Sequence, residues 1–233
     1  MYGKIHSVES MGLSDGPGIR YIIFLQGCEL RCAYCHNPDT WDKNGGELIT
    51  AKELIDKAIR FKPYFKASRG GVTISGGEPL LQPEFLIELL KGLKEVGIHT
   101  CLDTAGYGLG NYNEILKYVD LVLLDIKHVN KKGYRELVNG DMDRVVQFID
   151  TINTMNVKTR VRHVVMPGIN DTKEHLINIK SIAMVIKNLE GIELLPYHEL
   201  GKNKYDEMGI KYRLEGLRAM EEDELKVLES YIG

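Results

Sequence analysis

Cysteine is scarce in this sequence, with four residues in 233, and tryptophan occurs once. A disulfide-stapled secreted scaffold needs more thiols than that, spread along the chain. Charge of one sign is also lacking. Thirty Lys and Arg stand against 33 Asp and Glu, for a formal net charge of −3. No basic field exists to hold nucleic acid by electrostatics alone. No run of about 18 uncharged apolar residues occurs, so no membrane span is expected. The first residues, MYGKIHSVE, lack the apolar stretch of a secretory signal. A cytoplasmic location is therefore expected, where thiols stay reduced. Internal repeats, low-complexity tracts and long linkers are missing as well. The composition, 43% hydrophobic and 27% charged, argues against disorder.

What is present is a regular alternation of apolar runs and amphipathic segments. Residues 18–27 (GIRYIIFLQG), 71–75 (GVTIS), 98–103, 120–127 (DLVLLDIK), 157–166 and 192–195 read as six strands. Residues 50–61, 83–96, 111–118, 142–155, 172–188 and 221–231 read as helices. Thr50 and Glu53 have capping-box spacing, and Gly97 and Pro167-Gly168 are stop signals. Such alternation predicts parallel βαβ units. An open doubly wound sheet and a partial barrel both satisfy it. Unusual polar groups follow the ends of nearly every strand: Cys28, Gly76-Gly77-Glu78, Asp103-Thr104, Asp125 with Lys127, and Tyr197-His198. Collecting them at one rim favours the barrel, because an open sheet gathers a site mainly at its switch point.

Three of the four cysteines, Cys28, Cys32 and Cys35, fall within eight residues in QGCELRCAYCHNP. In a reducing compartment such clustering points to metal or redox chemistry. Zinc held by the three thiolates and His36 is one reading, although ligands adjacent in sequence rarely reach one tetrahedral ion. Cys32-Ala-Tyr-Cys35-His36 also matches c-type haem attachment, which leaves Cys28 without a role. An ordinary buried or redox-active thiol set is the third reading. The fourth is a [4Fe–4S] cluster on three thiolates, with one iron left open for a ligand. The segment Gly76-Gly77-Glu78-Pro79 lacks the Lys-Ser/Thr of a phosphate loop, so a nucleoside triphosphate is disfavoured.

The C-x3-C-x2-C spacing, with an aromatic before the third cysteine, resembles the radical S-adenosylmethionine (SAM) superfamily. DGPGIR (15–20), FLQGC through CHNPDTW (24–41), SGGEPLLQPEF (75–85), LDT (102–104), DLVLLDIK (120–127), VRHVVMPGIND (161–171) and LLPYHELGKNKY (194–205) extend the likeness along nearly the whole chain. Within the superfamily they resemble the activating enzymes of glycyl radical enzymes. Other such activases carry a ferredoxin-like insert needing about eight more cysteines, and here only Cys101 lies outside the motif. The resemblance therefore implies the compact type, a single radical SAM domain over residues 1–233, whose partner is pyruvate formate-lyase. It implies an α/β fold, a partial (β/α)6 TIM-like barrel of parallel strands with the cluster at the C-terminal rim. It also implies that reductive cleavage of SAM yields a 5′-deoxyadenosyl radical, which takes hydrogen from a glycine of the partner. Reduced flavodoxin or ferredoxin is the expected electron donor.

Residue by residue, the resemblance gives Cys28, Cys32 and Cys35 to the cluster and to catalysis. It gives Gly76, Gly77 and Glu78 to the SAM amino group, Tyr34 to adenine, with His36 as a polar neighbour, and His198 to the adenosine. Asp103, Thr104 and Asp125 are expected to hold SAM and a monovalent cation, Na+ or K+. Lys127 shares a strand face with Asp125 and is expected near the SAM carboxylate. Arg162, an inward arginine on a strand, demands a partner and is placed at the SAM or peptide site. Asp15 is expected to face the incoming glycine, although Asp-Gly-Pro-Gly also makes an ordinary turn. Cys101 reads as a buried core residue.

Overall fold

Apolar runs form six of the eight strands, and the amphipathic segments between and after the strands form nine helices. The computed structural model describes residues 1–233 throughout. The strands are β1 (Tyr2–Gly12), β2 (Arg20–Leu25), β3 (Glu47–Thr50), β4 (Gly71–Gly76), β5 (Thr100–Thr104), β6 (Leu121–Asp125), β7 (Thr159–Val165) and β8 (Leu189–Pro196). They make one sheet in the order β3-β1-β2-β4-β5-β6-β7-β8. The six expected strands are β2 and β4 to β8, and each pairs in parallel with the next. Strands β2, β4, β5 and β6 are buried along nearly all their length, as a parallel sheet covered on both faces must be.

The helices are α1 (Ala51–Ile59), α2 (Lys62–Ser68), α3 (Pro83–Glu95), α4 (Tyr112–Leu116), α5 (Lys131–Val138), α6 (Met142–Met155), α7 (Lys173–Ala183), α8 (Lys202–Glu207) and α9 (Glu222–Glu229). The expected capping box starts α1. Glu53 N–H donates to Thr50 Oγ1 at 3.2 Å, and Thr50 N–H donates to Glu53 Oε2 at 2.9 Å. Residues 50–61 do not form one helix through Phe61. The chain turns after Ile59 and restarts as α2, with proline in its first turn. None of the helices is long and apolar enough to cross a membrane.

Two strands escaped the sequence reading. Strand β1 runs antiparallel to β2, and β3 runs antiparallel to β1 at the sheet edge. Their composition, with Lys4, His6, Glu9 and Glu47 exposed or half-buried, hides them from a search for apolar runs.

A flat array of six parallel strands would span about 24 Å, at about 4.8 Å per gap. Here side chains at or beyond the ends of all six line one cavity, from Cys28 after β2 to Pro196 and His198 at β8. The loops after β2 and β8 also meet, with the rings of His36 and His198 stacked at 4.1 Å. The sheet is therefore curved into a partial barrel whose C-terminal rim is drawn together.

Candidate active site

The cysteine loop leaves β2 at Gly27 and is fixed by its backbone rather than by its thiols. Gly27 N–H donates to the Thr40 carbonyl at 2.8 Å and Cys28 N–H to Trp41 at 3.3 Å. Arg31 and Ala33 N–H donate to the carbonyls of Val138 and Leu137, at the end of α5. The Tyr205 hydroxyl donates to the Cys35 carbonyl at 3.0 Å. All four cysteines are free, and Cys28, Cys32 and Cys35 line the same cavity. Burial pushes all three thiols up, Cys32 to about 12 despite the nearby Lys127. In this pocket a thiolate exists only with a cationic partner such as a metal centre.

No three His, Cys, Asp or Glu groups stand close enough to share a single metal ion. His36 is spent elsewhere, stacked on His198 with Nε2 at 3.2 Å from the His198 carbonyl oxygen. That arrangement does not suit zinc on three thiolates and His36. It fits an iron–sulfur cluster, in which each thiolate binds a different iron. Cys101 is wholly buried and does not line the cavity, which leaves three thiols for four irons.

Gly76-Gly77-Glu78 forms the turn after β4, and its geometry explains both glycines. Gly76 has φ +116°, and a Cβ there would lie 2.3 Å from the Leu25 nitrogen. A Cβ on Gly77 would lie 2.3 Å from the Gly27 carbonyl oxygen. The turn thus packs backbone to backbone against the root of the cysteine loop, and Gly77 and Glu78 N–H donate to the carbonyls of Leu25 and Gly27. Glu78 is buried. Its carboxylate accepts from Leu80 N–H at 3.1 Å, from Ala105 N–H at 3.0 Å and from the Thr104 hydroxyl. Burial raises its pKa, against the pull of these donors. Expected as a cofactor contact, Glu78 is first a brace between the ends of β4 and β5.

Across the cavity, three strand ends meet at one guanidinium. Arg162, on β7, donates from Nη2 to Asp103 Oδ1 on β5 and from Nε to Asp125 Oδ1 on β6 at 3.0 Å. Its Nη1 stands 3.6 Å from Asp15 Oδ1. Lys127 Nζ holds the other oxygen of Asp125 at 2.8 Å, and Ser75 Oγ donates to Asp103 Oδ2 at 2.6 Å. Burial works against ionising Asp125, but Arg162 and Lys127 overcome it and hold its pKa down to about 2. At Asp103 and Asp15 burial wins and the pKa is raised.

At Asp103, Thr104 and Asp125, the residues expected to hold Na+ or K+, protein groups supply the partners. Arg162 is the counter-charge between the two carboxylates, and the Thr104 hydroxyl belongs to Glu78. Thr104 follows Asp103 directly on β5, so the two side chains point to opposite faces. Besides the buried Glu78, the rim faces the cavity with three carboxyl groups, Asp15, Asp103 and Asp125, against the two cations Arg162 and Lys127.

Tyr34 and His198 also line this cavity, which has a volume of about 360 Å³. That is within the usual range for a small-molecule site. The Tyr34 hydroxyl is buried and lacks a partner, so it is free to meet a polar group of a ligand. All the expected site residues thus come together here.

Sequence reasoning missed the clasp that closes the rim. Lys204, on α8, donates to Asn37 Oδ1 at 2.9 Å and pairs with Asp39 Oδ2 at 2.9 Å. Trp41 packs edge-on against Tyr205, and the Arg31 guanidinium lies over the Trp41 ring at 4.8 Å. The segments CHNPDTW and HELGKNKY were visible as separate blocks. Only the fold shows that they grip each other.

Known proteins place this arrangement. A family model described as the radical SAM superfamily matches residues 22–179. A pyruvate formate-lyase-activating enzyme of Clostridium pasteurianum is 55% identical over 230 residues, covering 99% of this chain and 97% of its own. One from Staphylococcus epidermidis is 44% identical over 238 residues, covering 99% and 95%. Among solved structures, Streptococcus suis SuiB bound to precursor peptide SuiA aligns with a TM-score of 0.68 at 19% identity, over 91% of this chain and 44% of that one. A domain of a pyruvate-formate lyase-activating enzyme from Bacteroides vulgatus aligns with a TM-score of 0.57 at 23% identity, over 70% and 92%. At these identities the structural likeness speaks for the fold.

Proposed function

The chain belongs to the radical SAM superfamily and, within it, to the pyruvate formate-lyase-activating enzymes, and on that premise we propose how its own residues serve the activation of pyruvate formate-lyase. The observation that carries the reading is the single cavity holding Cys28, Cys32 and Cys35 on one side and the Asp103–Arg162–Asp125 cluster on the other. When bound, a [4Fe–4S] cluster and SAM together supply the hydrogen-atom abstraction that leaves a glycyl radical on the partner.

Cys28, Cys32 and Cys35 would hold the cluster as thiolates. Asp15, Asp103 and Asp125 give the cavity an acidic wall suited to a ligand with ammonium and sulfonium groups. Lys127, fixed by Asp125, offers a cation to a ligand carboxylate. Tyr34, His36 and His198 supply flat faces and polar edges for an adenine. Gly76 and Gly77 let the β4 turn close on the cysteine loop and form the floor. Asp15, on the loop entering β2, faces the incoming glycine segment of pyruvate formate-lyase. Flavodoxin or ferredoxin delivers the electron, and the protein works in the cytoplasm.

The test is to reconstitute the protein anaerobically with iron and sulfide, then add reductant, SAM and pyruvate formate-lyase. The expected electron paramagnetic resonance spectrum is a glycyl radical doublet on the lyase, absent with Cys28→Ala. Accumulation of 5′-deoxyadenosine without a doublet would mean another glycyl radical enzyme is the partner. Neither product, from protein carrying about four irons, would overturn the reading.

A further inference from the structure

Residues Leu13 to Ile19 join β1 to β2, and no backbone hydrogen bond holds any of them before Ile19. One hydrogen bond reaches the residues before Ile19: Thr73 Oγ1 donates to the Asp15 carbonyl at 2.6 Å. Thr73 lies on β4 and is fully buried. Its own acceptor site is taken by Arg20, whose Nε–H donates to Thr73 Oγ1 at 2.9 Å. The hydroxyl hydrogen is thereby left to point at Asp15.

Arg20 is the largest fully buried side chain in the molecule and pairs with no carboxylate. A buried guanidinium without a counter-ion is costly, and burial lowers its pKa. Its other donors go to the Val72 carbonyl and to His99 Nδ1 at 3.2 Å. Nothing in the cavity described above uses Arg20. Its fork is spent on fixing β4 and the orientation of one hydroxyl. The loop then lies directly on the sheet: a Cβ at Gly16 would sit 3.4 Å from Cys101 Sγ and 3.5 Å from Arg20 Nε. At Gly18, where φ is +65°, a Cβ would lie 2.4 Å from the Ser68 carbonyl oxygen. The stretch is thus pressed against the fold at its far end and pegged at Asp15.

We propose that Thr73, oriented by Arg20, is a positioning residue that pegs the Asp15 loop so that the Asp15 carboxyl stands beside Arg162 to receive the partner's glycine segment. This rests on the reading above that Asp15 faces that segment. Neither Thr73 nor Arg20 touches the reacting groups. Loss of the peg loosens the loop, weakens capture of the partner and uncovers Cys101, leaving the chemical step intact.

Thr73→Val keeps the shape and removes the hydroxyl, whereas Thr73→Ser keeps the hydroxyl. Of the two bonds Thr73→Val removes, the one to the loop should set the KM effect: in reconstituted protein, KM for pyruvate formate-lyase should rise about two- to tenfold with kcat unchanged. Alkylation of Cys101 by iodoacetamide, located by mass spectrometry, should quicken by a similar factor, and Thr73→Ser should restore both values. Wild-type labelling in Thr73→Val would overturn the peg. So would failure of Thr73→Ser to restore it. Faster labelling with an unchanged KM, together with a wild-type KM in Asp15→Asn, would instead overturn the role given to Asp15 and the proposal with it.

Discussion

The guanidinium of Arg162 lies between Asp103 and Asp125 and ties β7 to β5 and β6 at the cavity wall. Removing it leaves two largely buried carboxyl groups facing each other with only Lys127 and Ser75 for company. Arg162→Met should destabilise the metal-free protein by about 3–5 kcal/mol, the usual cost of orphaning a buried charge. Arg162→Lys should recover only part, because an ammonium cannot fork to both partners. Urea unfolding at pH 7 measures both. The sign of the pH dependence also follows. Asp125 has its folded pKa held down to about 2, below its unfolded value of about 3.9. Its contribution is present above pH 4 and is lost as pH falls towards 2. Asp103, raised by burial, works in the opposite sense.

Glu78 accepts three hydrogen bonds and donates none, so its charge matters less than its two acceptor oxygens. Glu78→Gln would turn an NH2 group toward the N–H of Leu80 or of Ala105. A loss of about 1–3 kcal/mol is expected, the cost of an unsatisfied buried donor. Urea melts of the metal-free variant read it directly. A variant as stable as wild type would show that the brace is not needed.

Most of the site was legible in the sequence because its chemistry sits at strand ends, and strand ends are marked by breaks in apolar runs. Cys28, Gly76, Asp103, Asp125 and His198 all follow such breaks, and all reach one cavity. What stayed hidden was mutual contact. Arg162 could be assigned to the cavity from its strand face, but not the two carboxylates it bridges, since β5, β6 and β7 are far apart in the chain. For the same reason Thr104 looked like a companion of Asp103 until Glu78 claimed its hydroxyl. Strands β1 and β3 were missed because charged and polar residues interrupt their apolar positions, and the short helices α2, α5 and α8 because they give too short a period to read.

Behind β7 a pair of histidines is held neutral. His163 donates from Nδ1 to the Ile126 carbonyl at 2.6 Å, so its Nε2 accepts from Asn170 at 3.1 Å and from His175 Nε2 at 3.2 Å. His128 packs edge-on against His175, and burial depresses His163 to about 3 and His175 to about 4. Both folded values lie below the unfolded value of about 6.5. Below that pH the unfolded chain takes up protons that the folded one refuses, so stability falls as pH drops. His175→Leu should flatten the slope between pH 6.5 and 4.5 by up to about 1.4 kcal/mol per pH unit, the value for one proton. Unfolding free energies at three pH values across that window suffice. An unchanged slope would show that His175 takes up its proton in the folded state.

The clasp of Lys204 and Tyr205 on the cysteine loop should govern retention of the cluster more than stability of the fold. The Lys204 pair with Asp39 is about a third exposed, at 29% and 31% of the two side chains, so its loss should cost only about 0.5–1 kcal/mol. Tyr205→Phe removes a donor to the Cys35 carbonyl and should cost about 1 kcal/mol more. Neither loss approaches the total stability of a domain. Both bonds nevertheless act on the stretch from Cys35 to Asp39, and the ring of Tyr205 also covers Trp41. Opening of that stretch should become several-fold more frequent, since about 1.4 kcal/mol is a tenfold change in population. In anaerobic reconstituted protein, release of iron to a strong chelator should therefore quicken several-fold in the Lys204→Ala/Tyr205→Phe double variant, with the urea midpoint little changed. Lys226→Ala, which breaks an exposed pair with Asp223 on α9, is the control and should release iron at the wild-type rate. Equal rates in the control and the double variant would mean that the cluster is guarded by the backbone bonds from Gly27 to Ala33 alone.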